Sequence, residues 1–187
     1  MKFIKHILIL AAFTFIGISC TDDDPVAVNP EEVITTLTVT LTPQGGGTAI
    51  TLKSYDLDGT DGPDAPIITV SGKLAANTVY TGATEVLNET EDPAEDVTVE
   101  VVQEGDEHQF FYTFSNNLGS TTYTDTDADG NPIGVTFTLN TADASTGNLT
   151  VTLIHEPVKD ASGVKTGSIS NAGGETDVEA TFPITIE

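Results

Sequence analysis

Apolar and polar residues alternate along most of this chain, from residue 33 onward. Residues 37–42 read Leu-Thr-Val-Thr-Leu-Thr, and similar stretches follow at 97–101, 135–139, 149–153 and 178–184. A period of two places the apolar side chains on one face of a β-strand and the polar side chains on the other. The pattern therefore predicts strands with one buried and one solvated face, and it contains no clear helical period after residue 20.

About ten strands follow from this pattern, and turns rich in Gly, Asp, Asn and Pro separate them. We predict strands near residues 33–42, 48–56, 66–73, 78–88, 96–104, 108–115, 119–125, 134–141, 148–156 and 176–186. Short turns between neighbouring strands favour antiparallel hairpins. We therefore expect a single all-β domain, an antiparallel β-sandwich of the immunoglobulin-like, Greek-key type, with a closed up-and-down β-barrel as the alternative.

Pro183 lies inside the last predicted strand. Proline has no backbone N–H to donate to a neighbouring strand, so it is confined to edge strands and bulges. We expect the last strand at a sheet edge, and this favours the sandwich over the closed barrel.

The first 20 residues have a different pattern. Lys2 and Lys5 flank the start of an apolar run over residues 3–18, and Cys20, the only cysteine, follows it. This order is typical of an export signal, and the run is shorter than the roughly 20 residues of a membrane span. Residues 17–20 resemble a bacterial lipobox, which implies cleavage before Cys20 and acylation of its thiol by groups such as palmitate.

The expected organisation is a lipoprotein signal peptide over residues 1–19, a lipidated acidic tether over 20–32 and the β-sandwich over 33–187. Three aspartates, at positions 22–24, follow Cys20. They resemble the acidic export signal of surface lipoproteins of the Bacteroidota. That resemblance implies a protein anchored by lipid in the outer membrane and displayed on the cell surface.

The charge of the chain excludes some partners. Its formal net charge is −23, it has no arginine, and only four lysines follow residue 20. Nucleic acids and anionic lipid headgroups are bound through Lys and Arg side chains. We therefore expect no nucleic-acid partner, whereas so acidic a surface attracts cations.

One aspartate-rich segment resembles the beginning of a calcium loop. Asp125, Asp127 and Asp129 alternate just before Gly130, the D-x-D-x-D-G order of such loops. An EF-hand loop has a bidentate acid where this chain has Thr136, and a plain hairpin turn is the alternative interpretation.

A second aspartate-rich segment is also a candidate for Ca²⁺. Asp56, Asp58 and Asp61 lie in a stretch that also contains two glycines. Their carboxylates could surround a hard cation. A long solvated loop on an acidic surface is the alternative.

His108 and His155 form the third candidate site. In a simple antiparallel meander two other strands separate the strands that carry them. His108 begins its strand and His155 ends its own, so both lie at the same end of the sandwich. Two imidazoles among carboxylates are a donor set for zinc or copper, and two rim histidines with nothing bound are the alternative.

Catalysis has little support in the sequence. No serine or cysteine lies in a nucleophile motif, and paired carboxylates carry no information in so acidic a chain. We expect a protein that is not an enzyme.

The chain resembles a family of small, acidic surface lipoproteins of flavobacteria. The stretches that carry the resemblance are residues 87–93, 106–112, 127–134 and 153–157. The chain is also similar to the lipoproteins that accompany TonB-dependent outer-membrane receptors. This resemblance implies such a receptor as a partner and a role in nutrient capture.

Three functions are compatible with these observations. The preferred one is a surface module that binds a metal ion, Ca²⁺ or a transition metal, or a metal-bearing nutrient for a receptor. The second is a structural or adhesive spacer. The third is a barrel enclosing a small apolar ligand and lined by aromatic residues, namely Phe110, Phe111, Tyr112, Phe114 and Phe137.

Overall fold

The computed structural model describes residues 32–59 and 62–187. The strands are β1 (Thr36–Pro43), β2 (Ile50–Tyr55), β3 (Ile67–Val70), β4 (Val79–Asn88), β5 (Glu95–Asp96), β6 (His108–Phe114), β7 (Gly119–Tyr123), β8 (Thr136–Thr141), β9 (Ser145–His155) and β10 (Glu175–Ile186). One α-helix, α1 (Val97–Gln103), and two 3₁₀ turns (Val164–Thr166 and Ile169–Asn171) complete the described structure.

The strands form two antiparallel sheets. The larger has the order β3-β2-β1-β4-β8-β7 with β5 paired to β4, and the smaller has the order β10-β9-β6. In the larger sheet β4 lies beside β1 after two successive hairpins, which is the Greek-key arrangement. The prediction of an all-β, antiparallel sandwich is confirmed.

The alternative of a closed barrel is wrong. β3 and β7 are the outer strands of the larger sheet, and β6 and β10 are those of the smaller. Pro183 lies in β10, at an edge as predicted, opposite Asn148 of β9. The aromatic side chains line no barrel cavity. Phe110 and Phe137 are fully buried in the packed core between the sheets, whereas Phe111 lies on the other face of β6.

The core between the sheets consists of the alternating apolar residues of the strands. The core contains Leu37, Val39 and Leu41 of β1 and Leu149, Val151 and Leu153 of β9, all of them buried. A smaller cluster covers the outer face of the smaller sheet, beneath the segment with the two 3₁₀ turns. Both layers are held by burial of apolar area, which contributes about 25 cal/mol per Å².

The predicted strand over residues 96–104 is wrong. After two residues of β5 the chain forms α1, whose N-cap residue Asp96 accepts a hydrogen bond from the backbone N–H of Thr98. Val97 and Val101 are buried, whereas Val99 is 51% exposed. Positions i and i+4 lie on one face both of a strand and of a helix, so the alternation of valines did not distinguish the two.

No helix among the described residues is both long enough and apolar enough to cross a membrane. The predicted signal peptide, the tether up to residue 31 and Cys20 lie outside the described residues, as does Asp61.

Candidate metal centre

Direct pairing of β6 with β9 brings the two histidines together. His108 and His155 are opposite each other in the register of these strands, and their ring centroids are 4.8 Å apart. The predicted meander with two intervening strands is wrong, because β7 and β8 belong to the other sheet. Both side chains lie on the face of the smaller sheet that packs against the larger one, at the end of the core.

Asp177 of β10 is the third member of the cluster, and a β-bulge places it there. The register of β10 on β9 shifts between Thr176 and Val178, so Asp177 is the extra residue. Without the bulge Asp177 would alternate with Val178 and point away from the core. A bulge redirects a side chain in this way and is frequent beside functional sites. The Asp177 side chain is accordingly fully buried beside both histidines.

Gly174 allows β10 to approach His155 closely. Its φ is +71°, and a Cβ atom at this position would lie 2.1 Å from the backbone oxygen of His155. Only glycine adopts such a φ without cost and leaves this space open. The Gly173-Gly174 pair therefore brings the chain into β10 beside the site.

The ring of His108 is held with one nitrogen directed at the carboxylate. Its Nδ1 atom is 3.1 Å from the backbone oxygen of Glu104. A carbonyl oxygen only accepts, so Nδ1 carries the hydrogen, and in the neutral ring Nε2 has the lone pair. Burial lowers the pKa of His108, which favours the neutral ring. Nε2 makes no hydrogen bond with any residue in the described part of the chain.

The distances within the cluster suit a bound cation. His108 Nε2 is 3.7 Å from Asp177 Oδ2, and His155 Nδ1 is 3.7 Å from Asp177 Oδ1. One atom from each of the three residues can be chosen so that all lie within 4.8 Å of one another. Ligand atoms around a tetrahedral zinc ion, with bonds of about 2.0–2.1 Å, are roughly 3.3 Å apart. A small inward movement would therefore give three ligands to one ion.

Further carboxylates surround this group. Glu107 Oε2 is 4.0 Å from His155 Nε2. Glu32 and Glu104 offer oxygens within 4.8 Å of each other and of a His108 nitrogen. Burial, followed by the negative charges of Glu100, Asp177 and Glu104, raises the pKa of Glu32 to about 7.

A cleft of about 710 Å³ opens beside the cluster. Glu32, Asp58, Asp177 and Glu179 contribute its acidic lining, together with apolar residues that include Leu57. Every lysine of the described residues is ion-paired elsewhere; the pairs are Lys53–Glu89, Lys73–Glu187, Lys159–Asp127 and Lys165–Asp160. The cleft thus connects solvent with Asp177 and is lined by carboxylate groups with no lysine among them.

The predicted calcium loop contributes no residue to either ligand group and is internally hydrogen-bonded. Asp125 accepts backbone N–H bonds from Gly134 and Thr136, each at 2.8 Å. The backbone N–H of Asp129, whose side chain is exposed, donates to Asp127 Oδ1.

A lysine neutralises the buried member of that loop. Lys159 Nζ is 3.1 Å from Asp127 Oδ2 and also donates to the backbone oxygens of Gly105 and Pro132. Burial lowers the pKa of Lys159, and the Asp127 charge offsets part of the effect. Calcium at this loop stays a prediction, but these contacts weigh against it, because an ammonium group already occupies the cation position beside Asp127.

The second aspartate segment adjoins the histidine cluster. Asp56 and Asp64 line a cleft of about 130 Å³ that also reaches Asp177. Asp58 is exposed and accepts a hydrogen bond from the backbone N–H of Asp64. Burial, with a further contribution from a hydrogen bond to Asp58, raises the pKa of Asp56. Calcium binding by this segment also stays a prediction.

Sequence reasoning missed Asp177 and Glu32. Strict alternation puts Asp177 on the solvent face of its strand, and the bulge that reverses this has no signature in one sequence beyond the preceding glycine pair. Glu32 lies in the expected tether, outside every predicted strand. Its neighbours Glu104 and His108 come from segments far along the chain, so only the tertiary structure brings these groups together.

Comparison of this chain with protein-family models, with curated proteins and with solved structures found no match.

Proposed function

We propose that this protein is a non-enzymatic, lipid-anchored binding module of a bacterial envelope that captures a divalent transition-metal ion. The ion is held by His108, His155 and Asp177. The observation that carries the proposal is the convergence of an imidazole nitrogen lone pair and a carboxylate, both buried, at 3.7 Å.

Without a cation, His108 Nε2 is buried and makes no hydrogen bond with any described residue. The pair is too far apart for a hydrogen bond, which needs about 2.7–3.2 Å. A neutral ring with its hydrogen on Nδ1 directs the lone pair of Nε2 at the carboxylate, and burying a ring nitrogen without a hydrogen bond costs free energy. A metal ion between them would convert this repulsion into two coordinate bonds.

The hydrogen bond made by the other ring nitrogen of His108 is typical of a histidine that binds a metal. Histidines that bind metals commonly donate their other ring N–H to a backbone carbonyl, which fixes the tautomer and orients the ring. The contact from His108 Nδ1 to the Glu104 backbone oxygen has this geometry. It also ties the site to the C-terminal end of α1.

The donor set indicates the class of metal. Imidazole nitrogen suits Zn²⁺, Cu²⁺, Ni²⁺ and iron, whereas Ca²⁺ and Mg²⁺ prefer oxygen ligands throughout. We therefore favour zinc or copper over calcium at this site. A protein with so acidic a surface also concentrates cations near the cleft.

The envelope location is supported by the sequence alone. The run that ends at Cys20 has the order of a lipoprotein signal, and the resemblance to receptor-associated lipoproteins suggests that the captured ion passes to a TonB-dependent receptor. A metal site that is open through a cleft to solvent suits delivery.

Metal titration of the full-length chain, purified in detergent, tests the proposal. Zn²⁺, Cu²⁺ and Ca²⁺ compete with a chromophoric chelator while thermal unfolding is recorded. We expect one equivalent of zinc or copper to bind and to raise the unfolding temperature. The His155→Gln substitution should abolish both the binding and the rise in unfolding temperature. The Asp129→Asn substitution, in the aspartate loop, should leave both unchanged. Absence of zinc and copper binding by the unmodified chain would refute the proposal.

An adhesive role is the second candidate, because the outer face of the larger sheet carries a row of hydroxyl groups. Thr42, Thr81, Thr138 and Thr122 are consecutive cross-strand neighbours on β1, β4, β8 and β7. This face could contact a polar surface through many weak hydrogen bonds. Replacing Thr81 and Thr138 by glutamate should then reduce adhesion of cells that display the protein, with metal binding unchanged.

A further inference from the structure

The first described residue, Glu32, lies beside the candidate metal centre and lines the same cleft as Asp177. Oxygens of Glu32 and Glu104 and a nitrogen of His108 lie within 4.8 Å of one another. His108 thus belongs both to this group and to the group with His155 and Asp177. Zinc in proteins is usually four-coordinate, so three ligands leave one position for a further side chain or for water.

We infer that Glu32 supplies the fourth ligand to the ion held by His108, His155 and Asp177, so that ion binding fastens the end of the predicted lipid tether to the domain. This inference rests on the metal-binding function proposed above. It assigns a specific role to a residue that lies before the first strand.

The positions of the neighbouring carboxylates favour Glu32 over the other candidates. Glu32 and Asp177 line the same cleft, whereas Glu104 lines a different cleft over α1. Glu107 faces Nε2 of His155, but it is Nδ1 of that ring that faces Asp177.

Glu32 also differs from the other three ligands in how it is held. The other three belong to strands β6, β9 and β10, which the sheet fixes. Glu32 lies outside regular secondary structure, before β1 begins at Thr36. Its carboxylate can therefore leave the ion without breaking a strand pair, and it would be the exchangeable ligand at the solvent side of the site.

Zinc affinity and zinc release of the full-length chain in detergent test this assignment. Affinity is measured by chelator competition, and release by stopped flow with excess chelator. For Glu32→Gln we expect affinity to fall at least about tenfold and release to accelerate, since even outer partners of metal ligands contribute that much. Glu32→Asp, which keeps a carboxylate, should recover part of the loss.

Glu100→Gln is the matched control. Glu100 is exposed on α1, and its charge acts on Glu32, yet it belongs to neither three-residue ligand group. The Glu100→Gln substitution removes one negative charge without removing a ligand. We therefore expect its zinc affinity to stay within about twofold of that of the unmodified chain, as for other exposed charges. Urea unfolding of each metal-free variant establishes that the domain is intact.

The outcomes separate this inference from the function on which it rests. If the unmodified chain binds zinc and Glu32→Gln behaves like Glu100→Gln, Glu32 is no ligand, and the metal site stands without it. A larger loss in Glu104→Gln than in Glu32→Gln would also overturn the assignment and transfer the role to Glu104. Failure of the unmodified chain to bind zinc would overturn both proposals.

Discussion

The Nε2 atom of His108 faces the Oδ2 atom of Asp177 at 3.7 Å, and neither side chain is exposed to solvent. The two residues lie on opposite edge strands of the smaller sheet, β6 and β10, with β9 between them. Their approach depends on the bulge at Asp177, which directs its side chain toward the core end where His108 begins β6. The candidate site therefore joins all three strands of this sheet.

Asp177→Asn should weaken zinc binding by at least about tenfold while leaving the domain folded. Asparagine has nearly the same shape but removes the negative charge that a cation requires. Glu85→Gln, at an exposed position of β4 that lines neither cleft beside the site, is the control and should bind zinc normally. Chelator competition measures the affinity of both variants. Equal affinity of Asp177→Asn and the unmodified chain would show that Asp177 is not a ligand.

Lys159→Met should reduce the free energy of unfolding by about 3–5 kcal/mol, because it leaves the Asp127 carboxylate buried without its cation. Lys165→Met provides the control: the Lys165–Asp160 pair is exposed, with side-chain exposures of 48% and 88%. Exposed pairs contribute about 0–1 kcal/mol. Urea unfolding compares the two variants.

Adding Asp127→Asn to Lys159→Met should restore part of the stability, since the uncompensated charge is then removed. A double variant as unstable as the sum of the single variants would mean that the pair is not coupled.

Protonation of Asp127 should lower the stability of the protein in acid. Burial opposes ionisation of this carboxyl, but hydrogen bonds from Asn131 and Lys159 outweigh it and hold its pKa below the usual range. The stabilisation is complete above the unfolded-state pKa, about 3.9. It is lost as pH falls from there through the lower pKa of the folded state.

Asp127→Asn should therefore be less stable than the unmodified chain at pH 7 and should show a shallower loss of stability as the pH falls below about 4. Urea midpoints at a series of pH values measure this slope. Parallel curves for the two proteins would contradict a lowered pKa at Asp127.

Gly174→Ala should destabilise the domain and also weaken zinc binding. Its Cβ atom would meet the backbone oxygen of His155 at 2.1 Å, and relief of this overlap must move β10 away from the site. Gly46→Ala is the control, because Gly46 also has a positive φ, +87°, but has nothing within 4 Å. The control should lose only about 1–2 kcal/mol from the left-handed backbone. Similar losses in both variants, with zinc affinity unchanged, would exclude the close approach as a determinant of the site.

The sequence by itself determined the class of fold. Alternating apolar residues in β1, β8, β9 and β10 become core residues in the structure, because a period of two matches only the two faces of a strand when it persists over many residues. The edge position of Pro183 follows equally from a local property, the missing N–H. Over the short run at Val97–Gln103 the same pattern was ambiguous, because a helix also buries Val97 and Val101 on one side.

The tertiary structure alone decided which polar groups meet. His108 and His155 were predicted at one end of the sandwich, but through a strand order that does not occur. Their direct pairing comes from assigning β7 and β8 to the other sheet, a choice made by packing across the whole core. The β-bulge in β10 brings Asp177 to the two histidines. The path of the chain before β1 brings Glu32 beside them. Such contacts link residues far apart in sequence, and no local propensity records them, because their free energy depends on the complete pair of sheets.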